Sequence, residues 1–161
     1  MPLYTLTDWL GLAPLICMVA FALLGLLQWI KRRSLRNVDI SFLVLGGFYL
    51  AVMAVYSFFE IYVVNYRPVL ISGNPEASYP SSTTMLVLCV MPTSLMQLRS
   101  HIRSPFLGAV ITALTMVFTV FMVAARLISG VHWFSDIVGG VLLSAGLVML
   151  YVTAVGMFQK P

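Results

Sequence analysis

The feature that most constrains this chain is the recurrence of apolar runs about 20 residues long, the length at which an α-helix spans the hydrocarbon core of a bilayer. Five such runs extend over about Leu10–Ile30, Ile40–Val64, Ser82–Leu98, Phe106–Ile128 and His132–Phe158. Inside a bilayer each segment must satisfy its own backbone N–H and C=O groups, so runs of this kind fold as helices. A small soluble protein with a large buried core is excluded by composition: 9% of the 161 residues are charged and 61% are hydrophobic, whereas soluble domains carry about a quarter charged residues. The expected fold is therefore an all-α integral membrane protein, a single membrane-embedded domain over 1–161 built as a bundle of about five transmembrane helices.

Between the runs, residues 1–9 read as an interfacial lead-in, with Thr7 or Asp8 as N-cap and Trp9 as a headgroup-level anchor. The first run is too long for a signal-peptide core and lacks a basic leader, so it counts as a span. Residues 65–80, rich in Pro, Gly, Ser and Asn, read as a loop, and Pro92 predicts a kink in the third span. Cys17 and Cys89 each lie inside an apolar run and read as free thiols, without disulfide or metal spacing. No metal or other cofactor is expected.

The net charge of +4 could suggest nucleic acid, but the basic residues cluster between spans, where topology signals lie. Lys31, Arg32, Arg33 and Arg36 occupy one connection, Arg99 and Arg103 another, and Lys160 the C-terminus. With five spans these segments share one side, which positive-inside counting makes cytoplasmic. A nucleic-acid partner is not expected; membrane lipids are. The sequence carries no signal for oligomeric state. Arg67 and Arg126 fall on the opposite, outer side and need another reason to be there.

That reason lies in three patches at the outer ends of spans two to five: Glu60 to Pro68 (EIYVVNYRP), Tyr79 to Thr84 (YPSSTT), and Arg126 to Asp136 (RLISGVHWFSD). Ionisable residues near membrane spans are costly and usually mark a site. His132 and Asp136 are four apart at a helix start and so share a face. The aspartate can accept from one imidazole nitrogen, fix the tautomer, and leave the other free to attack. The planar forks of Arg67 and Arg126 suit phosphate, and Ser81, Ser82 and the amides opening span three add neutral donors. Singly, these residues have blander readings: an interfacial arginine snorkels, a serine before a helix caps it, and the Gly140 and Ser144 stripe serves close helix packing.

Together the patches resemble the signature of the type 2 phosphatidic acid phosphatase family of membrane lipid phosphatases: a lysine, six residues and Arg-Pro; then Pro-Ser-Gly-His; then Ser-Arg, five residues, His, three residues and Asp. Arg67-Pro68, Pro80-Ser81, and Arg126 with His132 and Asp136 match in order and spacing, over about residues 55–150. The departures are Glu60 at the lysine, Ser82 and Thr83 at the Gly-His, and Ala125 at the serine. The resemblance also implies a six-helix core, of which this chain lacks the first helix, one that would precede residue 1.

The resemblance implies a phosphatase in which His132 attacks phosphorus and forms a phosphohistidine, Asp136 orients it, and Arg67, Arg126 and Ser81 stabilise the phosphoryl oxygens. The family's second-patch histidine protonates the leaving oxygen, and Thr83 stands in its place. His101, beyond a span of about 18 residues and so roughly 27 Å away, cannot substitute. The expected substrates are a lipid phosphate or an isoprenyl diphosphate, processed without metal on the outer face of a bacterial plasma membrane. The alternative expectation is an impaired member, silenced by Glu60 and Thr83, that binds lipid phosphate without efficient turnover. A transporter on this scaffold has little support, since no ionisable residue lies near the middle of a span.

Overall fold

A computed structural model describes residues 2–34, 38–71 and 73–158. Arg36 and Lys160, counted above toward the basic side, lie outside the described residues. Within them the chain forms six helices: α1 (Pro2–Leu10), α2 (Leu12–Arg32), α3 (Ile40–Ile61), α4 (Ser82–Arg99), α5 (Pro105–Ile128) and α6 (Phe134–Phe158). The segments Pro2–Arg32, Ile40–Ile61, Pro105–Ile128 and Phe134–Phe158 are each long and apolar enough to cross a membrane.

The third expected span, α4, is less apolar than these, and its position explains why. At 18 residues it has bilayer length, about 27 Å, but it packs against α2, α3, α5 and α6. Its surface meets protein rather than lipid, so it can carry Thr84, Thr93, Ser94 and Gln97 buried. Each is satisfied. Thr93 donates to the Cys89 carbonyl at 2.7 Å, Tyr49 and Ser94 share a hydrogen bond of 2.8 Å, and Gln97 donates to Ser41 at 3.1 Å. Helix α4 runs unbroken through Pro92. Around it, Leu45, Phe48, Tyr49 and Val52 of α3, Met85, Leu86, Cys89 and Val90 of α4, and Tyr151 of α6 form the core. The outward residues of α5 and α6, such as Val117, Val120, Leu142 and Met149, are exposed apolar side chains, as a lipid-facing surface requires.

Helices α4 and α6 meet over a line of small residues. A Cβ on Gly140 would come within 3.3 Å of the Ser81 carbonyl and of Thr84, and Ser144 donates to the Met85 carbonyl at 3.3 Å. This close approach brings the second patch of the sequence against the third.

Three boundaries depart from expectation. Residues 2–10 form a helix of their own, so Thr7 and Asp8 are not N-caps: the Thr7 hydroxyl donates back to the Leu3 and Tyr4 carbonyls at 3.0 and 2.9 Å. Helix α3 ends at Ile61 instead of Val64, and the chain turns back on itself. Arg67 N–H donates to the Glu76 carbonyl at 3.1 Å and Ser78 N–H to the Asn65 carbonyl at 2.9 Å, an antiparallel pairing inside the expected loop. The β-branched Val63 and Val64 lead into this extended stretch, where they are better suited than to a helix. Helix α6 begins at Phe134, leaving His132 in the turn before it.

The two ends of the bundle are chemically distinct. At one, Arg32 pairs with Asp39, Gln97 bonds Ser41, and His101 lies edge-on to Phe42, so the two basic connections meet there as charge counting expects. At the other, α1, the 65–78 pairing and the facing ends of α4, α5 and α6 gather every arginine, histidine and aspartate of the three patches.

Candidate functional site

The site grows from the turn between α5 and α6. Burial, followed by the nearby Arg67 and Arg126 guanidiniums, pushes the His132 imidazole down to about 4, because each disfavours a charged ring. His132 is thus neutral at neutral pH. Its Nδ1 lies 3.2 Å from the Ser78 carbonyl, an acceptor that places the proton on Nδ1 and leaves Nε2 with its lone pair.

The contact expected between Asp136 and His132 is not a direct hydrogen bond. Asp136 Oδ2 is 3.7 Å from His132 Nδ1, beyond bonding range. The Ser78 hydroxyl sits between them, 3.2 Å from Nδ1 and donating to Asp136 Oδ2. The reason is local. Four-residue spacing aligns two side chains only within a helix, and His132 precedes α6. Asp136 accepts from the Trp133 backbone N–H at 2.9 Å, as an acidic side chain in a first helical turn does. It reaches the histidine through Ser78, a residue the patches in the sequence omitted.

Ser78 arrives by the 65–78 pairing, which also delivers Arg67. That pairing is pinned to the site by Trp133, whose indole N–H donates to the Tyr66 carbonyl at 2.9 Å. Arg67 faces Glu76 at 3.4 Å, and its Nε and Nη1 are buried without a hydrogen-bond partner. From the end of α5 comes Arg126, 3% exposed. Its Nη2 donates to Thr83 Oγ1 at 2.6 Å and to Asp8 Oδ1 at 3.1 Å, while its Nε and Nη1 are likewise buried and unpartnered. The Tyr4 ring lies 5.9 Å from the Arg67 guanidinium and 5.1 Å from that of Arg126, within cation–π range of both. Two cationic forks therefore converge under one aromatic ring, with Arg67 Nη1 and Arg126 Nε and Nη1 buried and unpartnered, a donor set for a multiply charged anion.

Ser81 is completely buried as the N-cap of α4. Its hydroxyl accepts from Thr84 Oγ1 at 3.0 Å and its N–H donates to the Asp136 carbonyl at 3.0 Å, so it ties α4 to α6. The amides of Ser82 and Thr83 in the first turn have no intrahelical acceptor, by helix geometry. The Ser82 side chain lines a separate small cavity with Tyr56, Phe59, Glu60, Tyr79 and Pro80. Glu60 belongs to that cavity; the carboxylate paired with Arg67 is Glu76. Among the described residues no cluster of His, Cys, Asp or Glu has metal-binding geometry, and Cys17 and Cys89 are free thiols.

Besides Ser78, reasoning from the sequence missed Tyr4 and Asp8. The spacing of the patches holds no trace of either, since α1 docks on α5 from 118 residues away along the chain. The one available signal was a carboxylate, Asp8, at an interface.

The sequence profile of the PAP2 superfamily matches residues 60–160, which takes in all three patches and leaves α1 outside. No significant match exists among curated protein sequences. Among solved structures, the chain is similar to the crystal structure of a transmembrane PAP2-type phosphatidylglycerolphosphate phosphatase from Bacillus subtilis. The TM-score is 0.55 and the identity 22%, over 94% of this chain and 79% of that one. A likeness at that identity speaks for the fold.

Proposed function

The chain belongs to the PAP2 superfamily, and on that premise we propose that it hydrolyses phosphate from a membrane lipid phosphate or diphosphate, without metal, through a phosphohistidine. The observation that carries the reading is the pairing of a buried neutral imidazole with two arginines whose inward nitrogens lack partners. A phosphoryl group held by Arg67 and Arg126 supplies the acceptors those nitrogens lack. The first-turn amides of Ser82 and Thr83 add neutral donors at the positive end of α4.

Each residue then has a defined task. His132 Nε2 attacks phosphorus. As the ring becomes cationic, the Asp136 carboxylate, relayed by the Ser78 hydroxyl, stabilises the proton on Nδ1. Arg67 and Arg126 carry the charge that spreads over the equatorial oxygens in the transition state. Ser81 is a positioning residue, joining the α4 start to Asp136. Positive-inside counting puts this end of the bundle on the outer face of the membrane, a bacterial plasma membrane in this reading.

A second reading, a silenced relative that binds lipid phosphate without turning it over, is favoured by Thr83 at the family's histidine position. The deciding experiment is phosphate release by the purified protein from a panel of lipid phosphate monoesters and an isoprenyl diphosphate, with chelator present. The expected result is release that survives the chelator and vanishes in His132→Ala. Release that persists in His132→Ala, or that needs added metal, overturns the proposal; tight binding with no release selects the second reading.

A further inference from the structure

Each arginine of the site is faced by one carboxylate, and the two carboxylates are held differently. Glu76 meets Arg67 within the 65–78 pairing, where the same two residues also share a backbone hydrogen bond of 3.1 Å. It is fixed to the element that carries its partner. Asp8 comes from α1, outside the segment matched to the family, and its Oδ1 lies 3.1 Å from Arg126 Nη2. That same nitrogen donates to Thr83 Oγ1 at 2.6 Å. Asp8 therefore adjoins the side chain that stands where a proton donor is expected and that cannot act as one, because an alcohol is far too weak an acid.

The placement of Asp8 is built rather than incidental. Thr7, fully buried, turns its hydroxyl into α1, and Tyr4, one turn before Asp8, covers both guanidiniums. Gly11 lies beside α4, where a Cβ would make an ordinary contact of 3.5 Å with the Thr83 methyl carbon. Unlike Arg126, which is sealed, the Asp8 side chain is 61% exposed, so it stands on the open side of the Arg126 guanidinium. Of the other site carboxylates, Asp136 is fully buried and accepts from Ser78 and Trp133 through Oδ2, and Glu76 faces Arg67.

We propose that Asp8 is the general acid of this site, a catalytic residue supplied by α1; the proposal rests on the hydrolase reading above. The bond from His132 Nε2 to phosphorus forms as the ester P–O bond breaks, and the electron pair of that bond goes to the leaving oxygen, which takes the Asp8 proton. A lipid alcohol departs and Asp8 is left as carboxylate. In the second half, Asp8 accepts a proton from water as that water attacks phosphorus, and the P–N electron pair returns to His132. The charged and titratable groups around Asp8 are Arg126 from α5, Arg67 and Glu76 from the 65–78 pairing, Tyr4 from α1 and His132 from the turn before α6.

The test compares a lipid alkyl phosphate with p-nitrophenyl phosphate, whose phenolate leaves without help. Asp8→Asn is expected to lower kcat/KM, which reports the steps up to formation of the phosphohistidine, by about 10²–10⁴-fold for the alkyl ester, the usual yield of positioned acid catalysis, and by less than about tenfold for the aryl ester. Asp8→Glu, which keeps the acid, should leave the ratio of the two rates near that of the unmodified protein even where both fall. A merely structural role, steadying Arg126, lowers both esters together, and that result overturns the proposal while leaving the hydrolase reading intact. So does a rate that rises in Asp8→Asn, the mark of a blocking carboxylate. No release from either ester by the unmodified protein overturns both.

Discussion

The two ends of the bundle use arginine in opposite ways. At the basic end Arg32 pairs with Asp39 at 2.9 Å with both side chains nearly half exposed, 44% and 46%. Its charge remains in contact with solvent, and its work is done by sign and location alone. At the other end Arg126 is 3% exposed and bonded to residues 43 and 118 positions distant. A buried charge is tolerated only where neighbours or a bound anion satisfy it. The difference teaches that arginine content says nothing about a site until burial is known: one end displays cations, the other stores them.

The histidines give the sharpest way to break this contrast. His132→Ala should abolish hydrolysis, a loss of more than about 10⁴-fold in kcat as for removal of a nucleophile, while His101→Ala at the basic end should leave the rate unchanged. With the His132 ring pushed down to about 4, the loss of kcat/KM that protonating the nucleophile causes should set in near pH 4 and run tenfold per unit below it. An ordinary histidine would put that limb near 6.5. Stability moves in the same direction: between 6.5 and about 4 the unfolded chain takes up a proton that the folded chain refuses, so acidification through that window destabilises the fold.

A smaller effect is expected from the arginines. Arg126→Ala should lower kcat by about 10²–10³-fold, as for loss of a transition-state donor, and Arg32→Ala should not change it. Equal effects would erase the distinction between the ends. Smaller again is Ser78→Ala, which breaks the link from Asp136 to His132. A hydrogen bond to a charged group contributes about 1.5–3 kcal/mol, or roughly 10–100-fold in rate, and the loss should appear in kcat more than in KM. The least effect is expected at the exposed pair. Arg32 holds the Asp39 carboxyl below its usual range, so any stability it adds is present at neutral pH and lost as pH falls below about 4. Asp39→Asn should cost within about 1 kcal/mol, read as a thermal midpoint in detergent.

The bundle and its site were legible in the sequence to different depths. The spans stand out because lipid imposes one rule along the whole length of a helix, and the expected ends at Ile40, Ser82 and Ile128 coincide with the observed ones. Arg67, Arg126, His132 and Asp136 lie at one end of the bundle, but His132 and Asp136 are 3.7 Å apart with Ser78 between them. What stayed hidden depends on non-local geometry. The four-residue rule linking His132 to Asp136 presumes a helix that starts two residues later, so Ser78 went unseen. The docking of α1 follows from a lone Asp8 and a lone Tyr4, which carry no periodicity. Glu60, at the family's lysine position, lines a small cavity with Tyr56 and Ser82.

Helix α4 also has a consequence for how the protein is made. Threonines, a serine and a glutamine that are satisfied by α3, by Ser81 and by the backbone of α4 itself make it a poor passenger in lipid by itself, since polar side chains are penalised during insertion. As the chain leaves the ribosome, α2 and α3 precede it, and α5 and α6 follow. The segment bearing Ser81 and Thr83 must therefore shelter against the earlier helices, or wait in the insertion machinery, until the later ones close around it. Biogenesis and active-site assembly are in that sense a single event: the catalytic end can form only when the last helix has arrived.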